Sequence, residues 1–404
     1  MIRFARNYIE FIRQPDVARL LVVALLSRMP IGMVGFAMVM FLRESLGNFV
    51  LAGTAVGANF IALAAVAPIV GRLVDRYGPR IPLLVTGIVQ PLALAGVLAA
   101  AKLGLGFHYV VAAAALSGMF ASPITTLTRT AWRHRFEREE DRRTAFTLDA
   151  VMIELNFTVG PAIVAAILAT AGATAAFAFT LVVVVASFLI FLTSPALRYF
   201  KRDRSTRRHM LGPLTEKQLW IVFLTTFGLA MSLGLLEVGY PAYATWLALP
   251  PLAGLFLSVN SIGSALGGAL FGGWHFRMAL ERQLAAALGL MAIPMFLHGV
   301  VPSPLPFAIV AFLAGSLIAP AVACQSVLVS RLAPSQYATE AFTWWSTFIV
   351  SGLGSGMALG GWLVETHGVR TAFFTGSAIL CVVAVVALTI AAPLAPQLGA
   401  RAND

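Results

Sequence analysis

Long apolar stretches alternate with short polar connections along almost the whole chain. A helix needs about 20 mostly apolar residues to cross a hydrocarbon core of ~30 Å, and stretches of that length recur along this sequence. The pattern predicts an all-α polytopic membrane protein with twelve transmembrane helices. The predicted spans are residues 18–41, 48–70, 81–101, 107–129, 146–170, 173–194, 218–247, 251–273, 283–301, 304–329, 342–364 and 369–393.

The amino-acid composition supports a membrane protein, and the distribution of charge predicts its orientation. Hydrophobic residues make up 59% of the chain and charged residues 11%, whereas a soluble domain carries about 25% charge. The formal net charge of +11 could suit nucleic acid, but 24 of the 28 Lys and Arg residues lie in or beside one set of alternate connections. The positive-inside rule therefore predicts cytoplasmic termini in a multi-pass protein of the cell (inner or plasma) membrane, with no nucleic-acid partner.

The amino-terminal segment, residues 1–17, mixes arginines with large apolar side chains. This pattern favours a short amphipathic helix on the inner leaflet. The apolar run from Leu20 is too long for a cleaved signal peptide, so the first span is expected to be retained. The two cysteines, Cys324 and Cys381, lie inside predicted spans and are interpreted as core residues without a disulfide or a metal site.

The second half of the chain repeats the first. Ala145-Phe146-Thr147 opens the fifth predicted span and Ala341-Phe342-Thr343 opens the eleventh. Upstream, Gly57 and Gly118 match Gly254 and Gly315 at an offset one residue longer. We therefore predict two six-helix bundles, residues 1–194 and 218–404, joined by a basic cytoplasmic linker at 195–217.

The stretch Gly-Arg-Leu-Val-Asp-Arg-Tyr-Gly-Pro-Arg, residues 71–80, lies between predicted spans two and three. It resembles the signature loop of the major facilitator superfamily, whose members share the plan of two six-helix halves. The resemblance implies a conformational-switch role for five positions and a brace between the acidic one and the amino end of span eleven, near residues 339–342. Both glycines are expected to permit turns at helix ends. The five positions are Gly71, Asp75, Arg76, Gly78 and Arg80.

A second pattern, Gly160-Pro161 in span five, resembles the glycine-proline motif of the antiporter branches of this superfamily. The resemblance implies the drug or metabolite efflux branch, with a proton gradient as driving force and no cofactor. Proton-linked exporters of this superfamily typically have a buried arginine in span four. This sequence lacks it, because Arg129 and Arg133 lie at the cytoplasmic end of that span.

Three charged residues lie inside predicted spans, where each costs about 2.5 to 3.5 kcal/mol and usually faces a wet interior. Arg28 and Glu154 lie at similar depths in spans one and five, which the resemblance to the superfamily implies are neighbours, so we hypothesise that they form an ion pair. Asp149 lies on another face of span five and is interpreted as a structural partner of nearby arginines. Glu237 has no basic residue in its own span and Pro241 follows it as a potential hinge.

The coupling and protonation candidates are therefore Glu237 and Glu154, with Arg28 as the buried charge partner. A static ion pair and an acid hydrogen-bonded to a neighbouring helix are the structural alternatives. His298 is expected at the membrane interface. Polar and aromatic residues inside the spans provide the substrate-cavity candidates, which are Asn156, Tyr240, Tyr243, Asn260 and Gln325.

No catalytic triad, nucleotide-binding motif or metal-ligand spacing is found in the sequence, so we predict neither an enzyme nor a metal site. The favoured function is secondary active transport of a small organic solute by alternating access, as proton-coupled efflux. The alternatives are uptake of a metabolite by symport or facilitated diffusion, lipid or lysolipid translocation, and a non-transporting membrane sensor or assembly partner. The expected partners are a small-molecule substrate and membrane lipids, and the expected state is a monomer.

Overall fold

The computed structural model describes residues 11, 13–199, 212–273, 278–334 and 338–394. Most of the predicted amphipathic segment and the arginine-rich part of the linker lie outside these ranges. Within them the chain is helical and has no strand. The helices are α1 (Val17–Ser27), α2 (Pro30–Leu46), α3 (Phe49–Tyr77), α4 (Arg80–Lys102), α5 (Phe107–Met119), α6 (Ile124–Arg135), α7 (Glu139–Leu192), α8 (Lys217–Trp246), α9 (Leu252–Gly273), α10 (Leu280–His298), α11 (Pro304–Gly315), α12 (Ile318–Leu332), α13 (Ala338–His367) and α14 (Val369–Leu394), with 3₁₀ helices at Pro195–Arg198 and Gly212–Thr215.

Eleven helical segments of the described residues are long and apolar enough to cross a membrane. The chain is therefore an all-α multi-pass membrane protein, as predicted. The fifth and sixth predicted spans follow each other without a loop, as two helices that meet at a kink within α7, at the predicted boundary between residues 170 and 173. Gly172 interrupts α7 with φ 83° and ψ 173°, a conformation outside the helical region that glycine adopts without a steric penalty.

Three of the long segments are each built from two helices. The first breaks between α1 and α2, just before Pro30, and another breaks between α5 and α6, just before Ile124. Proline has no backbone N–H and its ring clashes with the preceding turn, which explains breaks at Pro30 and Pro123. The third break separates α11 from α12. Arg28 lies at the first break, within the membrane-spanning part of the chain.

Matching asparagines show how the two halves correspond in three dimensions. The Asn59 amide donates to the carbonyl oxygen of Ala114 at 2.9 Å, and the Asn260 amide donates to that of Ala311 at 3.0 Å. The structure thus equates Asn59 with Asn260, whereas the offset of the sequence repeat would place Phe256 there. In three dimensions the eighth predicted span therefore aligns with the second about one helical turn further along than the sequence repeat suggested. The repeat rested on identities among Gly and Ala, and these do not show which residues form equivalent hydrogen bonds.

The signature stretch is mostly helical. Helix α3 continues to Tyr77, and Gly78 ends it with φ 85°. The expected turn at Gly71 is wrong, since this glycine lies inside α3 and no atom lies within 4 Å of the position of an added Cβ. Asp75 belongs to α3, but its side chain is outside the described part, so its brace to α13 stays a prediction.

The main hydrophobic core runs through both halves and includes Phe36, Phe177, Phe223 and Phe256. A second core cluster, around the fully buried Trp132, lies in the amino-terminal half alone. It packs the ends of α1, α6 and α7 together. This cluster surrounds the charged group described next.

Candidate functional site

One buried carboxylate organises a cluster of charged groups in the amino-terminal half. Asp149 accepts hydrogen bonds from Arg28 Nη1 at 2.7 Å, Arg129 Nε at 3.2 Å and Trp132 Nε1 at 3.1 Å. The side chains of Arg28 and Asp149 are 0% and 1% exposed, whereas that of Arg129 is 51% exposed. The prediction that Asp149 pairs with nearby arginines is confirmed.

The hypothesis of an Arg28–Glu154 ion pair is wrong, because the structure pairs Arg28 with Asp149 instead. Five residues turn a helix by about 140°, so Asp149 and Glu154 face different neighbours. The similar depths of Arg28 and Glu154 suggested the pair, but depth does not determine which face of its helix a residue occupies. The Nε and Nη2 atoms of Arg28 are buried and have no hydrogen-bond partner.

Glu154 lies where the two halves of the molecule meet. Its carboxylate accepts a hydrogen bond from Ser264 Oγ of α9 at 3.4 Å. Next to it, Ser258 donates to the carbonyl oxygen of Thr158 at 2.7 Å, so hydroxyl groups of α9 bind the backbone of α7. Within the described residues, Glu154 has no basic partner.

Glu237 has neither a hydrogen bond nor an ion pair within the described part of the chain. It is partly exposed, while every other residue from Gly234 to Ala244 is buried. Glu237 is therefore the most accessible residue in an otherwise closed stretch of α8. Tyr240, one turn further on, is fully buried.

Tyr240 belongs to a directed chain of hydrogen bonds in the carboxy-terminal half. His298 Nδ1 lies 2.7 Å from the carbonyl oxygen of Pro294, so that nitrogen carries the proton and donates. His298 Nε2 is then the acceptor for the Tyr240 hydroxyl at 3.1 Å, and Asn260 donates to the same hydroxyl oxygen at 3.4 Å. His298 was expected at the membrane interface, but it lies inside the protein, where it is 2% exposed. No sequence signal links it to Tyr240, which lies 58 residues away.

The five substrate-cavity candidates do not form one group. Tyr240 and Asn260 share a hydrogen bond, and Tyr243 stacks on Phe307 with ring centroids 4.0 Å apart. Asn156 in α7 and Gln325 in α12 are completely buried, and neither amide has a hydrogen-bond partner among the described residues. A buried amide without a partner is costly, so both positions are unusual inside a packed bundle.

Helices α3 and α13 bring the two halves into backbone contact near the Gly47 turn. A Cβ atom on Gly53 would lie 2.5 Å from the carbonyl oxygen of Met357, and one on Gly57 would lie 2.7 Å from that of Gly354. The first N–H of α3, at Phe49, donates to the carboxylate of Glu365 at 2.8 Å. We call these contacts the α3–α13 closure. Sequence reasoning missed Glu365, which is an ordinary acid near a helix end.

The sequence model of the Major Facilitator Superfamily matches residues 20–296. The chain belongs to this superfamily. It is therefore a membrane transporter rather than an enzyme. No curated protein sequence matches it.

Solved transporter structures share the fold at low sequence identity. A single-residue variant of the nucleoside transporter NupG aligns with a TM-score of 0.76 at 14% identity, covering 92% of this chain and 99% of its own. The human organic anion transporter MFSD10 gives 0.63 at 17% identity, covering 93% and 100%. A single-residue variant of the peptide transporter POT gives 0.72 at 14% identity, covering 94% of each. These similarities establish the superfamily fold for nearly the whole chain.

The Glu365 contact provides a test of the α3–α13 closure in this transporter. A carboxylate at a helix amino terminus stabilises the free N–H groups by about 0.3 to 1 kcal/mol. Glu365→Ala is therefore expected to shift the conformational equilibrium about two- to five-fold toward the state open at this end. Thiol labelling in membranes of a cysteine at Val50, a half-buried position beside Phe49, would measure the shift. Glu365→Gln, which keeps an acceptor oxygen, is expected to behave between wild type and Glu365→Ala, and equal labelling of all three would contradict the brace.

Proposed function

We propose that this superfamily member is a secondary transporter that exports a small organic solute in exchange for protons. It works by alternating access between the two bundles, in the cell (inner or plasma) membrane, with twelve crossings and cytoplasmic termini. The observation that carries proton coupling is Glu154, a carboxyl group without a basic partner at the junction of α7 and α9. The Gly160-Pro161 resemblance supports the efflux direction.

Glu154 couples protonation to movement through its place at this junction. An ionised carboxylate without a cation is costly in a low-dielectric interior, so gain or loss of the Glu154 proton is expected to change the stability of the closed junction. When α7 and α9 separate, the contact with Ser264 is lost and water can solvate the ionised form. The proton is then released on the side to which the junction opens. Glu237, a carboxyl group in α8 with no ion pair among the described residues, is the second proton-exchanging candidate.

The solute-binding part of the proposal rests on the unpartnered amides. Asn156 and Gln325 each offer two N–H donors and an acceptor oxygen, and they belong to different bundles. A polar organic solute that satisfies both amides would contact both halves at once. Such a solute can bias the equilibrium between the two conformations, because its contacts differ between them.

Uptake of a metabolite is the second candidate function, because alternating access can carry a solute in either direction. The α3–α13 closure lies at the end opposite the arginine-rich loops and is compatible with both directions. The direction of net flux under an imposed pH gradient in liposomes distinguishes efflux by antiport from uptake by symport.

Neutralising the two candidate carboxyl groups tests proton coupling. Glu154→Gln and Glu237→Gln each imitate the protonated acid, so the one that carries the proton is expected to lose gradient-driven flux by at least ten-fold while solute exchange continues. Flux in proteoliposomes with and without a pH gradient measures both. Glu44→Gln is the matched control, since Glu44 is exposed near the Gly47 turn. Normal gradient-driven flux in the Glu154, Glu237 double variant would refute coupling through these groups.

Thiol labelling tests the proposed topology. In a protein whose two native cysteines are replaced by serine, Arg138→Cys at the basic end is expected to resist a membrane-impermeant reagent added to intact cells. Leu103→Cys, at a position 73% exposed in the α4–α5 turn, is expected to react. Labelling of Arg138→Cys from outside would overturn the cytoplasmic assignment of the basic end.

A further inference from the structure

A cavity of about 420 Å³ opens at the basic end of the amino-terminal half, away from the junction between the halves. Three different elements contribute an arginine to its wall. Arg19 comes from α1, Arg80 is the first residue of α4, and Arg198 belongs to the 3₁₀ helix that follows α7. Thr193 and Ser194 line the same cavity, and none of its described lining residues is acidic.

Among the described residues, the hydrogen bonds around the cavity leave most of its positive charge without a counter-ion. Arg19 donates to the carbonyl oxygen of Thr193 at 3.0 Å, which holds one guanidinium at the rim. Arg80 and Arg198 are exposed and have neither a hydrogen bond nor an ion pair in the described part of the chain. The neighbouring acid, Asp16, accepts the Tyr199 hydroxyl at 3.2 Å instead of binding an arginine of this cavity.

Helices α1 and α4, together with α7, present large apolar side chains at the surface near the cavity. Val22 and Leu26 on α1 are 56% and 45% exposed, Leu84 and Ile88 on α4 are 44% and 53% exposed, and Leu189 on α7 is 54% exposed. Leu84 also lines the cavity, so the basic cavity passes directly into this apolar surface. A ligand that fits both must carry an anionic head and hydrocarbon chains.

We propose that this cavity binds the phosphate headgroup of an anionic phospholipid, whose acyl chains lie along the exposed residues of α1, α4 and α7. Guanidinium groups bind phosphate oxygens through paired N–H donors, and basic pockets between transmembrane helices are suited to anionic headgroups. The cavity lies within one bundle, so the lipid stabilises that bundle and is separate from the transported solute. The inference does not depend on the substrate or direction of transport.

Thermal unfolding of the purified full-length protein in detergent tests the site. Titration with dioctanoyl phosphatidylglycerol is expected to raise the unfolding temperature saturably, whereas dioctanoyl phosphatidylcholine leaves it unchanged. Each arginine near an anionic headgroup contributes about 1 kcal/mol, or roughly five-fold in affinity. The double variant Arg80→Gln, Arg198→Gln is therefore expected to need at least ten-fold more phosphatidylglycerol for the same shift.

The controls separate this site from general attraction to a basic surface. Arg133→Gln removes an exposed arginine at the same end but outside the cavity, and it is expected to keep the wild-type response. An equal loss in the control and the double variant, or no shift with phosphatidylglycerol, would overturn the proposal. Inorganic phosphate alone producing the full shift would also overturn it, because the cavity would then bind a soluble anion and not a lipid.

Discussion

Asp149→Asn is expected to destabilise the transporter by about 3 to 5 kcal/mol, the range found when one partner of a buried ion pair is removed. Asp149 accepts hydrogen bonds from Arg28, Arg129 and Trp132. Its neutralisation leaves Arg28 as a completely buried cation without an anion. Unfolding of the purified protein by sodium dodecyl sulfate would measure the loss.

The contacts of Asp149 also predict that replacing different members of this cluster lowers stability by different amounts. Arg28→Gln is expected to cost less than Asp149→Asn, since Arg129 continues to pair with the carboxylate. Arg129→Gln is expected to cost about 1 kcal/mol or less, because this side chain is half exposed and water screens its charge. The double variant Arg28→Gln, Asp149→Asn is expected to recover stability relative to Asp149→Asn alone. Additive losses in that double variant would contradict the direct pair.

The double variant Gly53→Ala, Gly57→Ala is expected to reduce transport by at least ten-fold while both bundles stay folded. New Cβ atoms would lie 2.5 and 2.7 Å from backbone oxygens of α13 in the opposite half. Backbone atoms cannot rotate away as a flexible side chain can, so α3 and α13 must separate. The closed state is then lost from the transport cycle, because alternating access requires each end to close in turn.

Flux in proteoliposomes and labelling of residues at this closure would measure the effect. Gly289→Ala is the matched control, since its added Cβ would lie 3.8 Å from Ala384, an ordinary contact. It is expected to keep wild-type transport and labelling. Normal flux in the double variant would show that the α3–α13 closure is not needed during the cycle.

Much of the fold could be predicted because the bilayer imposes a simple rule on the sequence. Apolar stretches must be long and charge must be confined to connections, so the spans and the basic end follow from residue order alone. The signature stretch at 71–80 likewise indicated the superfamily that the sequence comparison establishes. The boundary within α7 was predicted between residues 170 and 173, and Gly172 provides the break there without the polar loop that a boundary normally shows.

The pairing of side chains inside the bundle was less predictable. The sequence indicated that Arg28, Asp149, Glu154 and Glu237 are exceptional, because a charged residue in an apolar span is costly wherever it lies. Only the tertiary structure assigned Arg28 to Asp149, Glu154 to Ser264, and Tyr240 to His298. Each of these contacts depends on helix rotation and crossing. Those are set by close packing between segments far apart in sequence, such as α3 against α13, and a linear pattern of hydrophobic residues does not encode them.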